Sequence, residues 1–242
     1  MRVVVKRILN RFARWRVAKA LPGVLDDLAN YTRGSATTGT QWITLWFAIR
    51  IIFKHRPKWV LECGTGSSTL VLAAALRRVH SDGGPLGRIV SMESEERWYE
   101  TAVASLPSSY SEIVEIVYGP RVPMNVAMFR GFIHGNIPGR DFEFVFLDGP
   151  NYQSEEGVAF CADIFRVMDL SAATVIRGVI DGRVTSVYVL QQLCGVKAVR
   201  YWKFLHAATF TVRPIVFRDP SVFRRNFGTT LFGRVDYRKF WL

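Results

Sequence analysis

Hydrophobic positions recur along this chain with two periods, and the alternation between them is its main structural signal. In residues 1–20, Val5, Ile8, Leu9, Phe12 and Trp15 fall within one arc of a helical wheel, and Lys6, Arg7, Asn10, Arg11 and Arg14 fall on the other side, which predicts an amphipathic helix. Leu21-Pro22-Gly23 breaks it, residues 24–31 read as a second short helix, and the polar run 32–39 as a loop. From residue 40 onward helices and strands alternate. Helical spacing marks residues 41–54, 68–80, 95–106, 154–168 and 184–193, with a short helix at 124–133; strand-like apolar runs mark 59–62, 88–92, 113–118, 142–147 and 173–180. Two further strands, 198–204 and 207–212, are joined by a turn so short that they can pair only antiparallel. Strands alternating with helices of this length predict an open α/β sheet, mostly parallel and covered on both faces.

Charge divides the chain further. The 242 residues carry a net charge of +12, but residues 1–20 hold seven basic side chains and no acid, and residues 213–242 hold seven against Asp219 and Asp236. Residues 21–212 are left with 18 of each sign, a neutral body between two basic extensions. The organisation this suggests is an N-terminal helical extension (1–37), a central domain (38–212) and a C-terminal extension (213–242). A nucleic-acid-binding body would carry its own basic stripe, so nucleic acid is not the expected partner. Cys63, Cys161 and Cys194 lie far apart and are odd in number, which suggests neither a zinc site nor a disulfide framework and fits a reducing cytoplasm. The apolar run 42–53 is too short to span a membrane, and the first twenty residues lack the apolar core of a secretory signal. The basic helix is instead expected either on the inner, anionic face of a membrane or packed by its apolar face onto the body or a second subunit.

The candidate chemistry sits at strand ends. Trp59-Val60-Leu61-Glu62-Cys63-Gly64-Thr65-Gly66-Ser67-Ser68-Thr69 runs from a buried-type strand through a glycine turn into a helix, the place where α/β sheets bind nucleotides. Gly64 and Gly66 would let the backbone approach a ligand. Glu62 ends an apolar strand, a costly position for a carboxylate unless a donor meets it. Glu93 ends the next strand and suits the two hydroxyls of a ribose, although by itself it also fits a solvated helix start. Asp148 follows the strand at 142–147, and Asp181 the strand at 173–180; either could merely cap a turn, but four acids converge on one sheet edge.

The order E-x-G-T-G-x-S-T, an acid ending strand two, L-D-G ending strand four and I-D-G ending strand five resembles the class I S-adenosylmethionine-dependent methyltransferases. Within them the chain is most similar to the small O-methyltransferase branch that includes catechol and caffeoyl-CoA methyltransferases. The resemblance covers residues 38–212. It implies a Rossmann-like, doubly wound, mostly parallel seven-stranded sheet with a C-terminal antiparallel hairpin, and S-adenosylmethionine as cofactor. It places Glu62, Gly64, Gly66 and Ser68 around the methionine end, Glu93 on the ribose, Tyr118-Gly119-Pro120 beside the adenine and Asp148 near the reacting methyl. Thr38-Gly39-Thr40-Gln41 takes the place where relatives close over the methionine carboxylate. Metal-dependent relatives use one Asp after strand four and an Asp-Asn pair after strand five; Asp148 and Asp181 match, but Gly182 replaces the Asn, so no metal is expected.

The reaction implied is O-methylation of a hydroxyl on a small molecule or glycan. Asp148, His206 or His134 is the candidate base, with His206 at the hairpin turn and His134 read as a loop residue, while Asp181 and Arg183 are expected to meet the acceptor. Two other readings compete. A nicotinamide-dependent oxidoreductase would share the sheet, but the third glycine of its fingerprint is Thr69 here. A non-catalytic membrane- or nucleic-acid-binding protein that keeps the fold stays open because Pro120 and Gly182 depart from the family pattern.

Overall fold

The computed structural model describes residues 2–31, 40–154 and 157–214. Thr38 and Gly39 of the expected methionine loop, and all of the C-terminal extension beyond residue 214, lie outside the described residues.

A seven-stranded sheet forms the centre. β1 (Trp59–Cys63) lies between β2 (Arg88–Glu93), followed outward by β3 (Val114–Tyr118), and β6 (Phe144–Leu147), followed by β10 (Ile176–Asp181). All these pairs are parallel. β12 (Ala207–Val212) joins β10 antiparallel, and β11 (Val199–Trp202) completes the hairpin at the sheet edge. The predicted doubly wound sheet is therefore present. Because the chain leaves β1 for β2 on one side and returns to β6 on the other, the topological switch lies between β1 and β6.

Strand alternation divides the interior. Val60, Ile89, Phe144, Phe146 and Val179 face a core shared with α3 (Trp42–His55) and α4 (Ser67–Ser81), while Leu61, Cys63, Val90, Val145 and Leu147 face α6 (Asp163–Leu170) and α7 (Val184–Cys194). α5 (Glu96–Ser105) connects β2 to β3. The N-terminal segment read as an extension belongs to the first of these cores. Val17, Leu21, Val24, Leu28 and Tyr31 are buried in it, from α1 (Arg2–Ala20), α2 (Val24–Tyr31) and the break between them. The Tyr110 hydroxyl donates to Asp27 Oδ2 at 2.5 Å and ties α2 to the turn before β3.

One predicted helix is replaced and another is shortened. Residues 124–133 form no helix: β4 (Arg121–Val126) and β5 (Phe129–His134) pair as a hairpin, with Ala127 at φ 53° in its turn. The burial of β4 alternates residue by residue, as a strand requires, and Pro123 has no amide to give a helix. The helix expected over 154–168 begins only at Asp163. Before it lie the short strands β7 (Gln153–Ser154), β8 (Gly157–Val158) and β9 (Phe160–Cys161), the last of which pairs with β5 and draws the apolar run 158–162 away from helix. The three cysteines are free.

Candidate functional site

The glycine turn after β1 opens at the switch point and is held by hydroxyls. Thr69 Oγ1 donates to Glu62 Oε2 at 2.6 Å, Ser91 Oγ donates to the same oxygen at 2.6 Å, and the Gly66 amide donates to Thr69 Oγ1 at 3.1 Å. Thr65 Oγ1 pairs with Ser91 Oγ, and Thr40 Oγ1 with Ser67 Oγ. Glu62 is fully buried, yet its Oε1 has no hydrogen-bond partner among the described residues. Burial pushes its carboxyl up to about 7 against the opposing hydroxyls of Ser68, Ser91 and Thr69. A donor arriving at Oε1 would meet an acceptor that makes no hydrogen bond within 3.5 Å among the described residues.

The two glycines of the turn differ. Gly64 has φ +99°, and a Cβ on it would stand 3.0 Å from the Asp148 carbonyl oxygen, so its bareness lets the β1 and β6 ends close on each other. At Gly66 a Cβ would meet nothing within 4 Å. Gly66 is therefore the position with room for a ligand.

Glu93 Oε1 accepts the amides of Ser94 at 2.7 Å and Glu95 at 3.0 Å, so half of the carboxylate holds the turn that leads into α5. The side chain is half-buried, which raises its carboxyl above the ordinary value while those amides oppose the shift. Tyr31, buried at the end of α2, feels the charges of both Glu62 and Glu93, which brings the N-terminal helices to the same crevice. Gly119 holds the chain against β5's end: a Cβ would collide with the Gly135 carbonyl, and its own amide donates to the Glu93 carbonyl at 2.8 Å.

At the other side of the switch, Arg183 joins the two Asp-Gly turns. Its guanidinium donates to Asp148 Oδ1 at 2.5 Å, to the Asp148 carbonyl, to the Asp181 carbonyl at 3.0 Å and, through Nε, to Cys161 Sγ at 3.2 Å. Asp181 is buried, and its Oδ1 has no hydrogen-bond partner among the described residues. Burial, reinforced by the neighbouring Asp148 charge and opposed by Arg183, pushes its carboxyl up to about 7. Gly182 has φ +63°, and its amide donates to the carbonyl of His206, itself exposed at φ 49° in the β11–β12 turn.

His134 corrects the sequence reading. It is no loop residue but the last residue of β5, fully buried, with its amide on Asp163 Oδ1 at 2.8 Å and Nδ1 2.9 Å from Asp163 Oδ2. Asp163 was not foreseen, because the pair is 29 residues apart and no short-range spacing marks it. Cys63, His134 and Asp163 present ligand-type atoms within 4.8 Å of one another, the one such cluster among the described residues. Both Asp163 oxygens are already engaged with His134, so the arrangement is a buried hydrogen-bonded staple between the hairpin and α6. A cavity of about 510 Å³ lined by Val122, Met124, Ile133, His134, Asn136 and Arg166 shares only His134 with the predicted site.

No family model matches this chain, and neither does any curated protein. Solved structures do. A methyltransferase from Geobacter sulfurreducens shares the fold over 78% of this chain and 89% of its own, with TM-score 0.50 and 14% identity. An O-methyltransferase from Bacillus cereus, solved in complex with SAH, covers 81% of this chain and 90% of its own at TM-score 0.48 and 19% identity. At this identity the likeness to the Geobacter protein is one of fold.

Proposed function

We propose that the protein is an S-adenosylmethionine-dependent methyltransferase that methylates a hydroxyl oxygen of a small molecule or glycan. The observation that carries this reading is Glu62 Oε1, a fully buried carboxylate oxygen with no hydrogen-bond partner among the described residues, below a glycine turn whose Gly66 faces open space. A cationic ammonium is the donor that such an oxygen suits, and the amino-acid end of the cofactor has one. Glu93, with Oε1 on backbone amides, would accept ribose hydroxyls through Oε2; Ser68 and Gly119 would line the same crevice. When bound, S-adenosylmethionine supplies a sulfonium methyl that needs no further activation.

The chain's own work is positioning and proton removal. Arg183 fixes Asp148 and sets a permanent positive charge at the acceptor end, where it would attract the oxygen of a hydroxyl losing its proton. Burial raises the Asp148 carboxyl while Arg183 opposes the shift, and the ion pair occupies the oxygen that would take the proton. Asp181, held near neutrality, matches the task better. His206, exposed beside Gly182, is the second candidate. The nicotinamide reading is disfavoured by Thr69, whose hydroxyl takes the Gly66 amide that a pyrophosphate would need.

Calorimetric titration of the protein with S-adenosylmethionine, S-adenosylhomocysteine and NADH tests the cofactor. Binding of the first two and not the third is expected; the reverse would overturn the proposal. Transfer of labelled methyl from the cofactor into the small-molecule and glycan fractions of an extract then identifies the acceptor.

A further inference from the structure

The apolar arc of α1 does not face the body. α1 packs on α3 through small or polar residues: Ala13 and Val17 are buried, and Asn10 Oδ1 accepts the Ile43 amide at 3.3 Å. Arg16 lies 4.9 Å from the Trp46 ring and Arg14 5.8 Å from the Trp42 ring, two cation–π contacts that fix the helix along its length. The large side chains are left outside. Ile8 is 61% exposed, Phe12 54% and Trp15 52%, with Val5 and Leu9 also exposed, all within an arc of about 120° on the helical wheel. Of the ten exposed large hydrophobic residues among those described, these five lie on one helix.

We infer that this outer face of α1 is a docking surface for an anionic lipid bilayer. Charge argues for this occupant over the others. Arg7 and Arg11 are exposed along one flank of the arc, Arg16 and Lys19 interrupt it towards its C-terminal end, with Lys19 over the Trp15 ring at 5.5 Å, and no acid occurs in residues 1–20, so cations accompany the apolar stripe throughout. A second copy would bring the same cations against these, and residues 215–242 hold six basic side chains against two acids and would be repelled in the same way. Nucleic acid would answer the charge but leave Ile8, Phe12 and Trp15 unused. An anionic bilayer takes both: the rings and aliphatic chains enter the acyl boundary, and the cations meet the headgroups.

The full chain should sediment with phosphatidylcholine vesicles that contain phosphatidylglycerol and not with phosphatidylcholine alone. Phe12→Ser/Trp15→Ser should weaken that binding at least about tenfold, as should Arg7→Gln/Arg11→Gln, with melting temperatures unchanged because these side chains are exposed. Trp15 fluorescence should shift to the blue on vesicle addition. The inference is overturned if the parent protein ignores anionic vesicles, if both double variants bind like the parent, if single-stranded polynucleotide displaces the vesicles, or if Phe12→Ser/Trp15→Ser instead converts a dimer to a monomer.

Discussion

Arg183 holds Asp148 at two points, the carboxylate through one guanidinium nitrogen and the backbone carbonyl through another. The pair spans the ends of β6 and β10, so a single side chain sets the spacing of both Asp-Gly turns. It also fixes a cation between Asp148 and Asp181, two carboxylates that would otherwise repel each other across the cleft.

Removing that cation should be felt in both stability and turnover. The Arg183 side chain is 17% exposed and that of Asp148 41%, so Arg183→Ala should cost about 1–2 kcal/mol, less than a fully buried pair would. Arg183→Lys keeps the charge but loses the fork and should recover only part. Urea unfolding measures the first effect, and methyl transfer the second. With Arg183 in place, activity should survive EDTA; loss on chelation and recovery with magnesium would show that the cleft uses a metal.

Glu62 and Asp181 make stability depend on pH in a defined direction. Both carboxyls rise from ordinary values of 4.5 and 3.8 to about 7 on folding, so between those limits the folded protein holds more protons than the unfolded chain. Stability is therefore complete at the acid end of this window and falls as pH rises through about 7. The melting temperature should drop across it, and the drop should flatten in Glu62→Gln/Asp181→Asn. Cofactor affinity should run the opposite way, rising as Glu62 ionises, and Glu62→Gln should lower it by at least about tenfold.

The two turn glycines should separate folding from binding. Gly64→Ala puts a side chain at φ +99° and a Cβ 3.0 Å from the Asp148 carbonyl, and should destabilise by about 1–3 kcal/mol. Gly66→Ala meets no atom, so its melting temperature should stay at the parental value while S-adenosylmethionine binding weakens. Thermal melts and calorimetry on the two variants read the contrast.

Asp163→Asn or His134→Ala breaks a fully buried pair and should cost about 3–5 kcal/mol by urea unfolding. If either variant unfolds normally but fails to turn over, His134 acts in the reaction after all.

Much of the sheet was legible in the sequence because its signals are local. Buried parallel strands are continuous apolar runs, and the helices between them repeat at 3.6 residues, so β1, α4, β2, β6 and β10 are recognisable one at a time. The acids that end those strands mark the edge where a site can form. The hairpin over 121–134 was not legible, since a run such as Val122-Pro123-Met124 gains its strand character by pairing with β5, which only the folded chain supplies. The partners of the site residues were hidden for a related reason. Asp148 and Arg183 are 35 residues apart, and His134 and Asp163 29, and at such separations spacing says nothing about contact.

Amphipathicity, too, was fixed by the sequence of α1 only as a pattern. The order of residues determines that Val5, Ile8, Leu9, Phe12 and Trp15 share a side of the helix. Which side meets the body depends on the surface α3 offers. Beside Trp42 and Trp46 the helix approaches through Ala13 and Val17, residues small enough to pack closely, and the larger side chains are left facing outward.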